Sequence, residues 1–158
     1  VNAAGLIAAL AAAGETVAVA ESLTGGALAD ALITPAGASA VVRGGVVAYD
    51  TELKASLLGV DRGLLEREGP VHPEVARQMA VGVRTCLATS AGAATIGVAT
   101  TGVAGPAEQG GRRAGTVFVA VSHGDDVRVE EAGFSGDRSE VRAATVEMAL
   151  RMLGNTAR

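Results

Sequence analysis

The sequence predicts an α/β domain, a three-layer α/β/α sandwich with a mixed, mostly parallel five-stranded sheet spanning residues 1–158. Three observations lead there. Short β-branched or small apolar runs alternate with helical stripes along the first hundred residues, the pattern of strands crossed over by helices. The run ATIGVATT at 94–101 is nearly continuous in its apolar character, as expected of a strand covered on both faces. Two later strand-like runs are separated only by His123-Gly124-Asp125-Asp126, which predicts an antiparallel hairpin and hence a mixed sheet.

The elements follow in order. Residues 3–13 are alanine-rich and predict a first helix that stops at Gly14. TVAVA (16–20) reads as a buried strand. GALADALI (26–33) reads as a helix, with Ala27, Leu28, Ala31 and Leu32 at helical spacing. Thr34 to Ser39 is a loop by composition. Val41 to Tyr49 reads as a second strand, and its Gly44 and Gly45 point to a bulge or to close approach by backbone or ligand. Residues 51–60 predict a short helix, and Asp61 can cap another through Glu68. Val75, Met79, Val83 and Leu87 form the stripe of a longer helix from Pro73 to Ala88. Strand three (94–101), strands at 116–122 and 127–134, and a last helix to about Leu153 complete the chain.

Composition narrows the function. Hydrophobic residues are 49 % and aromatics 2 %, so the core is built from Ala, Val, Leu and Ile. Few aromatics and a net charge of −4 argue against stacking platforms or an electrostatic grip on nucleic acid. The lone Cys86 fits a reducing compartment and is expected to fill core space. Two distant histidines, His72 and His123, leave no metal cluster visible, and nothing requires a cofactor. No apolar run is long enough to span a bilayer, and the first residues lack a basic leader, so a cytoplasmic location is expected.

Ligands of open α/β sheets bind beyond the carboxyl ends of the strands. The loops there hold Glu21-Ser22-Leu23-Thr24-Gly25-Gly26, Tyr49 through Lys54, Thr100-Thr101-Gly102 and Ser135-Gly136-Asp137-Arg138. The first joins a strand to a helix start, where an anion or polarised carbonyl is the natural guest. The inventory suits a nucleophilic hydroxyl, a lysine or tyrosine base and a phosphate-anchoring arginine. Each residue also has a plainer role. Ser22 or Thr24 could cap a helix, Ser39 could be a turn residue, Tyr49 could fill core, and Lys54 could be a solvated charge. Thr101 could cap the turn before Gly102, and Arg138 could pair with Asp137 at the surface.

The fragments AESLTGG, GAS followed by GGVVAYDTELK, LLGV, TTGVAGP, GTV and FSGDR, in this order, resemble the CinA carboxyl-terminal family. Its PncC-type members are nicotinamide mononucleotide deamidases. The resemblance implies an α/β/α fold and hydrolysis of nicotinamide mononucleotide to nicotinic acid mononucleotide and ammonia. It also implies a homo-oligomer and a stand-alone form without the additional amino-terminal domain of larger relatives. The matching site positions are Ser22, Ser39, Tyr49, Lys54, Thr101 and Arg138. Lys54 is the expected base and Tyr49 a proton relay. Ser39 is the favoured nucleophile with Ser22 as its hydrogen-bonding partner, although the sequence leaves open which serine attacks. Thr24, Gly25, Gly26, Gly45, Thr101 and Gly102 are expected to meet the substrate, and Arg138 its phosphate. The chain departs from the family pattern at Leu23, Ala38, Asp50 and His72. Asp50 would raise the pKa of Lys54 if the two approach. The alternative reading is a non-catalytic nucleotide-binding or protein-interaction domain linked to competence and DNA damage, with direct DNA binding third.

Overall fold

The computed structural model describes residues 2–156. Helix α1 (Ala3–Ala13) starts at Asn2, whose side chain accepts from the Gly5 amide, and ends at Gly14 with φ 70°. Strand β1 (Val17–Glu21) is followed by α2 (Ala27–Ile33), a single 3₁₀ turn (Ala38–Ala40) and β2 (Val42–Val47). Then come α3 (Thr51–Ser56), α4 (Arg62–Glu68) and α5 (Pro73–Cys86). Strands β3 (Ile96–Gly102), β4 (Thr116–His123) and β5 (Asp126–Gly133) lead to α6 (Arg138–Thr156). The sheet order is β2-β1-β3-β4-β5. Within the described residues no helix is long and apolar enough to cross a membrane.

The α/β class and the five strands match the sequence expectation, but "mostly parallel" does not hold. Strand β1 runs parallel to β2 and β3, whereas β4 is antiparallel to both β3 and β5. No helix separates β3 from β4, and a strand reached without a crossover returns antiparallel. The hairpin at His123–Asp126 forms as expected, with Gly124 at φ 58°. Since β5 runs the same way as β3, the ends of β1, β3 and β5 all reach one rim.

The two faces of the sheet differ in the size of their side chains. Val17, Val19, Ile96, Val98, Val117, Val119 and Val121 pack with residues of α1, α2 and α6. The opposite face presents Ala18, Ala20, Ala99 and Ala120, with Phe118, to α5 and the segment around Leu58, Val60 and Leu64. Small residues let α5 lie almost on the strands. A methyl placed on Gly97 would overlap the Ala80 carbonyl, and one on Gly82 would overlap the Leu58 carbonyl. Gly97→Val is therefore expected to lower unfolding free energy by about 2 kcal/mol or more, since backbone cannot give way as a side chain does. A denaturant midpoint measured beside that of Gly133→Ala in β5, where a Cβ would meet nothing within 4 Å, checks it.

The stripe of α5 is Val75, Ala76, Met79, Ala80 and Val83. Cys86 is exposed rather than core filler: it is the last residue of α5, one turn past Val83, where the buried stripe ends. His72 starts the helix, its Nδ1 accepting from the Glu74 amide.

Candidate active site

Strand β1 ends in a buried acid. Glu21 is 0 % exposed, and its carboxylate accepts from the amides of Leu28 (2.9 Å) and Ala29 (3.0 Å) in the first turn of α2. The positive end of α2, read from the sequence as a place for a ligand anion, is thus occupied by the chain's own carboxylate. A glutamate closing an apolar strand seven residues before a helical turn was the available signal, and it pointed to structure. Between them the chain turns sharply. The Gly25 amide donates to Ser22 O (3.2 Å) and the Ala27 amide to Thr24 O (3.1 Å), with Gly25 and Gly26 at φ 57° and 97°. The turn is tied to β3, since the Ser22 amide donates to Thr100 O (3.1 Å). The hydroxyls of Thr24 and Thr100 bond at 2.8 Å. Thr24 is fully buried and acts as a strut beneath the turn rather than as a surface for substrate.

Helix α3 brings in the lysine. Asp50 caps it, Oδ1 accepting from the Glu52 amide at 2.8 Å. Lys54 faces inward from α3 and is 1 % exposed. Its Nζ lies 3.1 Å from Ser22 Oγ, 2.6 Å from Ala48 O and 3.5 Å from Tyr49 O. Among the described residues no carboxylate is hydrogen-bonded to it. Burial lowers its pKa from 10.5 to about 8, and the nearby Asp50 charge opposes that shift without cancelling it.

The far wall is built by α6. Asp137 Oδ1 accepts from the amides of Ser139 and Glu140, and Glu140 Oε2 accepts from the Asp137 amide, a reciprocal cap that fixes the helix start. From there Arg138 donates to Gly105 O (2.9 Å) and to Tyr49 Oη (3.0 Å). Asp137 is thus a cap for α6 rather than the partner of Arg138. Tyr49 is 61 % exposed, so it is not core filler. Its phenol meets Arg138, while its backbone carbonyl faces Lys54; the expected relay position at the lysine is not where the hydroxyl stands. Thr101 Oγ1 donates to Pro70 O at 2.7 Å. Ser22, Tyr49, Lys54, Thr101, Gly102 and Arg138 line one solvent-open pocket of about 500 Å³, joined by Leu23 and by Gln109 from the β3–β4 loop.

Five expected site residues do not line this pocket: Thr24, Gly25 and Gly26 build the turn behind Ser22, and Ser39 and Gly45 are elsewhere. Ser39 is exposed on the 3₁₀ turn before β2. Parallel pairing sets Val42 beside Val17, so the start of β2 lies with the start of β1, at the rim opposite Ser22. The loop does not fold back, and Ser22, not Ser39, is the serine on Lys54. Gly45 lies inside β2, where a Cβ would come within 2.8 Å of Val19 Cγ2 and 3.2 Å of Ala29 Cβ. It is glycine to admit α2, not substrate. Two residues that sequence reasoning passed over are Gln109, whose glycine-rich loop hid its direction, and Arg142. Arg142 Nε donates to Leu23 O (2.8 Å) and its Nη2 to Thr24 O (3.1 Å).

Known proteins share this architecture. A "CinA-like protein" from Frankia casuarinae is 47 % identical over 138 residues, covering 87 % of this chain and 31 % of the relative. One of the same description from Gemmatimonas aurantiaca is 43 % identical over 141 residues, covering 87 % and 31 %. The chain therefore spans about a third of the length of the curated relatives it matches. Among solved structures, competence/damage inducible protein CihA from Agrobacterium tumefaciens superposes with a TM-score of 0.90 at 36 % identity, covering 99 % of this chain and 93 % of that one. A competence-damaged protein (CinA) superfamily member from Escherichia coli gives 0.89 at 32 %, covering 96 % and 86 %. Residues 2–157 match the family profile described as "CinA C-terminal domain", and the chain belongs to that family.

Proposed function

We propose that this chain hydrolyses the carboxamide of nicotinamide mononucleotide, releasing ammonia and nicotinic acid mononucleotide, with Ser22 as nucleophile and Lys54 as its base. The observation that carries the reading is the buried Lys54 Nζ at 3.1 Å from Ser22 Oγ with two backbone carbonyls as its other partners. A neutral amine has two N–H groups and one lone pair. With the N–H groups given to Ala48 O and Tyr49 O, the lone pair is left for the Ser22 hydroxyl proton. A pKa near 8 keeps a useful fraction of that amine neutral at physiological pH.

Attack of Ser22 Oγ on the amide carbon places negative charge on the carbonyl oxygen. The turn closed by Gly25 N–H and Ser22 O leaves the amide of Leu23, which lines the pocket beside Ser22, to donate to that oxygen. Lys54 then returns its proton to the departing nitrogen, and water repeats the cycle on the acyl-serine. Arg138, held by Tyr49 Oη and Gly105 O, supplies a guanidinium for the phosphate.

Ammonia release should be measured with nicotinamide mononucleotide and, as control, nicotinamide itself. Turnover of the nucleotide with little or none of the free base is expected. Saturable binding of the mononucleotide without ammonia would overturn the reading in favour of a binding domain.

A further inference from the structure

Arg142 stands one helical turn beyond Arg138 and reaches the Ser22 turn from behind. Its planar guanidinium takes two successive carbonyls, Leu23 O through Nε at 2.8 Å and Thr24 O through Nη2 at 3.1 Å. Gly25 supplies the left-handed backbone of the turn, at φ 57°, and Arg142 Nη2 lies in ordinary contact beside it, 3.5 Å from where a Cβ would stand. We propose that Arg142 is a positioning residue that sets the reactive geometry of Ser22 by fixing the turn that follows it, an inference that rests on the Ser22–Lys54 reading above.

The physical reason lies in the peptide plane. In a trans peptide the C=O and the following N–H point in opposite directions. Drawing Leu23 O toward α6 therefore aims the Thr24 N–H away from α6, and drawing Thr24 O does the same for the Gly25 N–H that closes the turn on Ser22 O. A charged donor on the carbonyl also polarises the peptide and strengthens the N–H as a donor. Glu21 holds the other flank of the turn through the α2 amides, so Ser22 is set between two anchored peptide segments. A lysine could reach one of the two carbonyls but could not reproduce the flat fork.

The test compares wild type with Arg142→Lys, Arg142→Met and Arg142→Ala, with Arg138→Met as a reference. One readout is steady-state ammonia release from nicotinamide mononucleotide. The other needs no substrate: labelling by an alkyl fluorophosphonate, in which the Ser22 Oγ–P bond forms, the P–F bond breaks and Lys54 takes the hydroxyl proton. Thermal melting confirms that each variant is folded, and Arg142→Lys, which keeps the charge and the stem, covers the case in which the shorter variants are not. Arg142→Met is expected to lower both kcat and the labelling rate by about 10- to 100-fold with KM nearly unchanged. Arg142→Lys should fall between, and added guanidinium ion should partly restore Arg142→Ala. Arg138→Met should raise KM. A folded Arg142→Met labelled at the wild-type rate, or one changed in KM alone, overturns the proposal. Wild-type protein that is labelled at Ser22 yet releases no ammonia sinks the substrate assignment, and the labelling rates still decide the role of Arg142. Wild-type protein that is neither labelled nor active overturns both.

Discussion

Ser22→Ala is expected to lower ammonia release from nicotinamide mononucleotide by about 10³-fold or more, while Ser39→Ala stays within about twofold of wild type. The contrast follows from topology. Both serines sit in glycine-containing loops, but Ser22 follows β1 and Ser39 precedes β2. Because those strands are parallel, one hydroxyl is delivered to the pocket rim and the other to the opposite rim. Ser22 Oγ is within hydrogen-bond reach of Lys54, and its main chain is held by Thr100 O. Parallel progress curves with the two variants check this, and equal losses from both would remove Ser22 from the role assigned to it.

Lys54→Met is expected to abolish turnover to a similar degree and, below about pH 8, to leave the fold as stable as wild type or more so. Burial holds the folded-state pKa near 8, against 10.5 for the ordinary side chain. Below pH 8 the amine is protonated in both states, and the folded state carries the cost of an ammonium taken out of water. As pH rises from 8 to 10.5 the unfolded chain still binds the proton and the folded chain does not, so wild-type stability climbs by about 3 kcal/mol across that window. The methionine variant lacks that climb. Its thermal midpoint followed from pH 7 to 10.5 should therefore stay flatter than that of wild type. The same ionisation sets the rate: wild-type kcat/KM should rise about tenfold per pH unit below 8 and level off above it. A rate that falls with rising pH across this range would mean that the charged lysine is the working form.

The elements themselves were largely readable because their signals are local. Gly14, Asp61 and Pro73 mark helix ends by capping chemistry that acts within a few residues, and each end lies where those residues put it. Ser22, Tyr49, Lys54, Thr101, Gly102 and Arg138 could be nominated because strand ends converge in an α/β sheet, and all six line one pocket. What escaped depended on direction or on distant partners. The position of Ser39 needed the relative sense of β1 and β2, which a loop of neutral composition does not declare. The balance of parallel and antiparallel pairing turned on a β3–β4 link without a helix. The hydroxyl of Tyr49 is claimed by Arg138 from 89 residues away. Arg142, in the second turn of α6, looks like any solvated charge until its carbonyl partners are known. Asp50 was correctly suspected of raising the lysine pKa, but only packing reveals that burial outweighs it.

The sealing of the α2 amino terminus by Glu21 has a further consequence. A phosphate gripped by buried helix amides is largely indifferent to dissolved ions. An anionic ligand at this rim must turn instead to Arg138, whose side chain is bathed by water and open to competing counterions. Its hold therefore loosens as ionic strength rises.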